Sequence, residues 1–265
     1  MALITFMSDF GESDHYIAAV KARILGINPG LQIIDITHHI DAHNIAHGAY
    51  VLRSVFRDFA KGTIHLAAVD TAGIMACRFL ALKLEDHFFV VPDNGIFTLV
   101  SSKEPAMIVE ITYPAEASST FPAREILAKT AALLASGKSL EDVGTYTTEY
   151  RRLLDRQVRA TKKQITGNVI RVDHYGNLVT NIELETFRHL RNNRPFVVNF
   201  ARESVDIIHK NYGEVANGDC FVLFNSMGLL EIGIYRGNAA ELLGLGYDSP
   251  VNINFGQDEG SGKIV

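Results

Sequence analysis

Hydrophobic and polar positions alternate along this chain with two different rhythms, and the change falls beyond its middle. Residues 3–7 form a short apolar run that stops at Ser8-Asp9-Phe10-Gly11, as a buried strand feeding a loop does. Tyr16, Ile17, Val20, Ile24 and Ile27 then recur at helical spacing, with Ser13 as the expected N-cap and Pro29-Gly30 as the stop. Residues 31–36 read as a second strand. Ile45, Ala49, Leu52, Phe56 and Phe59 step by 4, 3, 4 and 3 along a second amphipathic helix. Gly62 leads into a strand over 63–69. Strands over 79–84, 88–91 and 108–112 follow, with Pro92-Asp93-Asn94-Gly95 as a turn and a helix over 124–136. Alternating strand and helix predicts an α/β N-terminal domain, residues 1–155, with a mainly parallel sheet and helices on both faces.

From about residue 164 the apolar runs shorten and turns punctuate them. Residues 170–172, 178–182, 196–200, 205–208, 221–224 and 230–234 read as strands. His174-Tyr175-Gly176-Asn177, Asn192-Asn193, Asn211-Tyr212-Gly213 and Asn225-Ser226-Met227-Gly228 read as turns. This rhythm predicts a smaller all-β, barrel-like C-terminal domain over 164–265. The polar stretch 150–163 reads as a linker and residues 256–262 as a loose tail.

Composition narrows the function. Of 265 residues 47% are hydrophobic and 21% charged, which fits a globular protein and not a disordered or fibrous one. Lys and Arg number 25 against 30 Asp and Glu, a net charge of −5 with no basic run, which argues against nucleic acid as a partner. No apolar stretch approaches the ~18 residues that would span a bilayer. The start MALITFMSDF lacks a basic segment and a cleavage site, and the only cysteines are Cys77 and Cys220. Both features suit a reducing, cytoplasmic setting, with the cysteines as packing residues.

In open α/β sheets ligands bind beyond the carboxyl ends of the strands. Asp9, Asp35 with His38 and His39, and Asp70 fall at such ends. A carboxylate accepts two hydrogen bonds side by side, so Asp9 suits a ribose diol, although any one such Asp also serves as an ordinary cap or turn residue. His38, His39, His43 and His47 form the one metal-like cluster; His43 and His47 have i, i+4 spacing, but no H-E-x-x-H accompanies them. G-x-G-x-x-G, a Walker loop and G-x-S-x-G are all absent from the sequence.

The more specific signals are composite: MSDFG (7–11), DITHHI (35–40), GTIHLAAVD (62–70), PDNG (92–95), VDHYGNLVTNI (172–182) and NSMGLLEIGIYRGNAAELLGL (225–245). Together and in this order they resemble the S-adenosylmethionine hydroxide adenosyltransferase family, the SAM hydrolases related to the fluorinase and chlorinase enzymes. The resemblance implies an α/β domain followed by a β-barrel-like one, a homotrimer with active sites at subunit interfaces, a small-molecule substrate, and neither metal nor cofactor. It implies hydrolysis of S-adenosyl-L-methionine to adenosine and L-methionine, by water attack at the ribose C5′.

By the same resemblance Asp9 would hold the ribose hydroxyls. Asp173 and Asn177 match a D-x-F-G-N motif whose acid meets the methionine ammonium, and Tyr175 would pack on adenine. Asn225, Ser226 and Glu231 fall in the matching C-terminal stretch. Arg236, Asn238 and Ala239 fall where backbone groups would read the adenine edge. Around the attacking water the family sets an Asp, an Arg and a His. Asp70 matches the first, and Arg78 comes one position late, with Cys77 in the expected place. Pro122 stands in the histidine's place, and a proline cannot accept a proton; loss of such a base costs about 10²–10⁴-fold. His43 falls in the loop that faces the ribose and is a candidate replacement base. These departures keep a second reading open, a nucleoside-binding protein with impaired catalysis. A metal hydrolase on the four histidines is a third. Halogenation is a fourth, disfavoured because Asp70 would set a negative charge beside an incoming halide.

Overall fold

The structure, a computed structural model, describes residues 3–71, 78–114 and 120–256. Cys77 and residues 257–262 of the expected loose tail lie outside the described residues. The chain divides into two compact units, residues 1–155 and 156–265.

The first unit runs β1 (Leu3–Ser8), α1 (Tyr16–Ile27), β2 (Gln32–Thr37), α2 (Ile45–Val55), β3 (Ile64–Ala68), β4 (Phe79–Leu84), β5 (His87–Pro92), β6 (Met107–Ile111), α3 (Ala128–Ala135) and β7 (Gly144–Tyr146). Strand alternation sorts side chains to two faces of one sheet. Ile4 and Phe6 of β1 and Ile64, Leu66 and Ala68 of β3 share a cluster with Val20 and Ile24 of α1 and the alanines of α3. Met7 and Ala67 share the other with Ala49 and Leu52 of α2 and with Phe56. Helices therefore cover both faces. The N-cap of α1 is His15, which makes no side-chain cap bond, and not the expected Ser13.

The sheet order is β2-β1-β3-β5-β4-β6-β7. The pairs β1–β2, β1–β3 and β3–β5 are parallel; β4–β5, β4–β6 and β6–β7 are antiparallel. The sheet is thus mixed, which corrects the expected mainly parallel one. The cause is the two-residue turn Glu85-Asp86, which folds β4 back on β5 with φ of 50° and 65°. Such primed turns favour Asn and Gly, so Glu-Asp gives no hairpin signal in the sequence. Ion pairs hold it instead: Arg57 meets Glu85 at 3.1 and 2.6 Å, and Lys61 meets Asp86 at 3.0 Å. The Arg57 hydrogen bond chiefly draws the Glu85 carboxyl down to about 2.

Under this sheet lies a buried polar thread. Thr5 Oγ1 is 2.7 Å from His65 Nδ1, and His65 Nε2 is 3.2 Å from His87 Nδ1. Phe56, Phe59 and Phe89 pack around the His65 ring. Burial, then the charge of His87, pushes His65 down to about 3. The fold thus holds a neutral ring, whereas the unfolded chain takes up a proton below about 6.5. This destabilisation is absent above that pH and grows as pH falls toward 3. Between pH 7 and pH 5 the wild type should lose about 2 kcal/mol more unfolding free energy than His65→Leu. Urea titrations at both pH values measure this, and equal losses would remove His65 from the effect.

The second unit runs β8 (Arg159–Ala160), β9 (Gln164–Val172), β10 (Leu178–Glu183), α4 (Leu184–Arg191), β11 (Phe196–Phe200), β12 (Glu203–Val205), β13 (Cys220–Phe224), β14 (Leu229–Ile234), α5 (Ala239–Leu243) and β15 (Pro250–Phe255). Its strands form one nearly barrel-shaped sheet in the order β12-β11-β15-β9-β10-β14-β13, with β8 on β9. Every described pairing within it is antiparallel. Ile165, Val169, Leu178, Ile182, Val198, Leu230, Ile232 and Ile253 fill its core. The unit is not all-β, because it carries α4 and α5. The first turns on one buried anchor, Phe187, and ends at Asn192 with φ 43°, so the Asn-Asn turn is a helix stop.

The segment read as a linker is fastened to the first unit over residues 150–155. Tyr150 packs on Phe97, Arg151 N–H donates to Asp93 Oδ1 at 2.8 Å, and Leu153 N–H donates to Thr98 Oγ1 at 3.0 Å. Among the described residues no helix is long and apolar enough to cross a membrane.

Candidate functional site

In the first unit the parallel strands β2, β1 and β3 end along one edge, and the loops that leave them are tied together by a single carboxylate. Asp9 Oδ2 accepts two backbone N–H bonds, from His43 and from Asp70, both at 3.0 Å. The two residues it anchors touch each other, with His43 Nδ1 3.0 Å from Asp70 Oδ1. Both hold left-handed backbone, φ 61° at His43 and 50° at Asp70, a conformation that costs non-glycine residues of order 1 kcal/mol or more. Asn94, after β5, braces the floor: its side chain donates to Val69 O at 2.9 Å and accepts from Ile96 N–H at 3.1 Å. Asp9, Asp70 and His43, singled out separately in the sequence, are therefore one cluster.

The other candidates of this unit go elsewhere. Arg78 donates to Asp93 and to the Glu149 carbonyl and lies 3.5 Å from Glu110. It fastens the 147–155 segment, and among the described contacts none joins it to Asp70. The histidines take separate partners. His38 is buried 2.7 Å from Ser8 Oγ, His39 faces Glu12 at 3.4 Å, and His47 Nδ1 meets Asp41 at 3.0 Å. The His38 ring is held below its ordinary pKa by burial. Among the described residues no three His, Cys, Asp or Glu side chains converge as a metal site. Pro122 opens the helical turn Ala123–Leu127, a position proline suits because its missing N–H is not needed there.

The second unit contains a cavity of about 660 Å³ lined by Asp173, Tyr175, Asn177, Tyr212, Phe221, Ile234, Tyr235, Arg236, Gly237 and Asn238. Five of these were candidates from sequence. Asp173 organises the loop: Oδ1 accepts N–H bonds from Tyr175 at 2.9 Å and Asn177 at 2.8 Å, and Oδ2 accepts from Asn177 Nδ2 at 3.0 Å. Tyr175 is left 75% exposed at the rim, available for stacking. Asn238 caps α5 by accepting from Glu241 N–H, and Ala240 N–H donates to Gly176 O at 3.0 Å, so loop and helix start form one wall.

Asn225 fixes the turn that carries exposed Ser226, accepting from Met227 and Leu229 N–H and donating to Glu231 Oε2 at 3.0 Å. Burial chiefly raises the Glu231 pKa, and Oε1 is buried without a hydrogen bond. The Ala239 side chain lies in the core. The sequence reading missed Tyr212, Phe221, Ile234, Tyr235 and Gly237 as cavity residues. Phe221 reads as an ordinary strand residue, and only the aromatic in the Asn211-Tyr212-Gly213 turn offered a signal.

Residues 4–144 match the SAM hydroxide adenosyltransferase N-terminal domain, and residues 167–252 match the C-terminal domain of that name. The chain belongs to the SAM hydroxide adenosyltransferase family. Among its relatives in this family is the (R)-S-adenosyl-L-methionine hydrolase of Methanocaldococcus jannaschii, 32% identical over 95% of each chain. A fluorinase of Actinoplanes sp. is 29% identical over 68% of this chain and 71% of its own. A Thermotoga maritima protein of known crystal structure superposes with a TM-score of 0.86 at 33% identity, covering 95% of this chain and 100% of that one. The two domain matches fall one on each compact unit, so the Asp9 cluster lies in the N-terminal family domain and the cavity in the C-terminal one.

Proposed function

We propose that this chain is an enzyme that hydrolyses S-adenosyl-L-methionine to adenosine and L-methionine. The observation that carries the reading is its likeness, over nearly its whole length, to proteins named (R)-S-adenosyl-L-methionine hydrolase. The chemistry suits the two sites described. A sulfonium leaves as a neutral thioether, so the enzyme mainly aligns a water behind C5′ and limits competing solvent. The cavity wall formed by Asp173, Tyr175, Asn177 and Asn238 would hold the nucleoside and the amino-acid end, and stacking on Tyr175 is worth about 1 kcal/mol. Asp9 would take the ribose hydroxyls through Oδ1, since Oδ2 is committed to backbone. Asp70 would act on the water through the His43 ring that it contacts. In this reading the protein is a cytoplasmic homotrimer with its active sites at subunit interfaces, and it uses neither metal nor cofactor.

The engagement of Arg78 with Asp93 and the proline at 122 favour a second reading, in which ligand binds without turnover. The deciding experiment incubates purified protein with each sulfonium epimer of S-adenosyl-L-methionine and follows products by chromatography. Adenosine and methionine are expected in equal amounts, with the R epimer preferred as the relatives' names specify. Saturable binding of both epimers with no adenosine released would establish the second reading instead.

A further inference from the structure

We propose that His43 and Asp70 form a catalytic dyad in which the His43 ring takes the proton of the attacking water, an inference that rests on the hydrolase reading above. The pair is built from three loops. The Asp9 carboxylate grips both backbones at 3.0 Å, and the ring and carboxylate then meet at 3.0 Å. Neither backbone needs the ring to hold it, because the Asp9 bonds go to main-chain N–H groups. The ring itself is 74% exposed, and an exposed contact of this kind adds little to stability. Left-handed backbone at both residues is a standing cost, a pattern found at sites where geometry serves function. His38, His47, His65 and His87 are buried, His15 packs on Tyr16 and His39 faces exposed Glu12, so His43 is the exposed ring of the first unit that meets a strand-end carboxylate.

The division of labour follows from the contact. With Asp70 accepting from Nδ1–H, the neutral ring keeps Nε2 as an acceptor, and among the described residues no hydrogen bond engages that atom. In the reaction the water oxygen bonds to C5′ while the C5′–S bond breaks, its electron pair staying on sulfur. The water proton passes to Nε2. The sulfonium charge thereby disappears from the substrate and reappears on the imidazolium beside Asp70, and that proton is then released to solvent.

The test uses two variants whose backbones suit the site, since Asn and Gly both accept positive φ. His43→Asn keeps a donor for Asp70 but no base, and His43→Gly leaves room for added imidazole. Both should lose about 10²-fold or more in kcat with KM and adenosine affinity within about twofold of wild type, and imidazole should restore part of the His43→Gly rate. Unchanged kcat in either variant overturns the proposal. So does a loss that imidazole does not restore, or one matched by lost adenosine affinity, since each marks a positioning role. If wild-type protein releases no adenosine from either epimer, the hydrolase reading itself falls and takes the dyad with it.

Discussion

Asp70→Asn should lower kcat by about 10³–10⁴-fold while leaving adenosine affinity within about twofold of wild type, the scale seen when a carboxylate that orients a catalytic histidine becomes an amide. The substitution is nearly isosteric, and Asn tolerates the φ of 50° at this position. The backbone bond to Asp9 is kept, because it uses the N–H of residue 70 and not its side chain. Two things change at the ring. The amide can donate to His43 Nδ1, which moves the ring proton to Nε2 and removes the acceptor that the water needs. The amide also carries no charge to stabilise the imidazolium formed as C5′ is attacked. Binding depends on neither property, so adenosine calorimetry should be blind to the change while single-turnover rates report it. A kcat within about threefold of wild type would show that the carboxylate takes no part in the chemistry, because a single charge-assisted contact at a reacting centre is worth more than that.

Much of this arrangement is legible in the residues themselves, and the exceptions share a physical cause. Strand β1 could be read because its apolar run ends at a loop-forming Ser-Asp-Phe-Gly, and α2 because Ile45, Ala49 and Leu52 keep helical spacing on one face. Asp9 and Asp70 could be placed at strand ends by the same logic. What periodicity does not carry is strand direction. Residues 79–84 and 88–91 look alike whether parallel or antiparallel, and Glu85-Asp86 reverses the chain with ion pairs in place of a turn signature. Nor does it carry side-chain pairing over long separations. Arg78 follows a motif that suggests catalysis, yet Asp93, 15 residues on, and Glu149, 71 residues on, hold its guanidinium. The His43–Asp70 contact spans 27 residues and depends on a third residue, Asp9, accepting two backbone bonds on one oxygen. Short helices fail for a related reason. Five residues, as in α5, show no period, and that helix exists because Asn238 caps it and Gly176 receives the Ala240 N–H.

That last junction makes Gly176→Ala a damaging small change in the second unit. Gly176 has φ 81°, and a methyl group there would collide with the Asn238 side chain. Three costs combine. A non-glycine residue in left-handed backbone loses about 1 kcal/mol. Displacing Asn238 from Glu241 N–H loses a helix cap worth about 1 kcal/mol. Overpacking a fixed contact adds about 1–3 kcal/mol. The variant should therefore lose about 3–5 kcal/mol of stability if the wall stays shut. If the wall yields instead, Tyr175 and Asn177 move away from Gly237 and Asn238, and part of that energy reappears as lost binding. Adenosine affinity should then fall by about 10–10³-fold, at 1.4 kcal/mol per tenfold. Gly218→Ala is the control: its φ is 89°, but nothing lies within 4 Å of the added methyl, so it carries the backbone cost without the collision. Urea unfolding and adenosine calorimetry on both variants separate the two terms. Wild-type adenosine affinity in a folded Gly176→Ala protein would show that the nucleoside does not bind between this loop and α5, since no ligand seated there can ignore a wall displaced by the width of a methyl group.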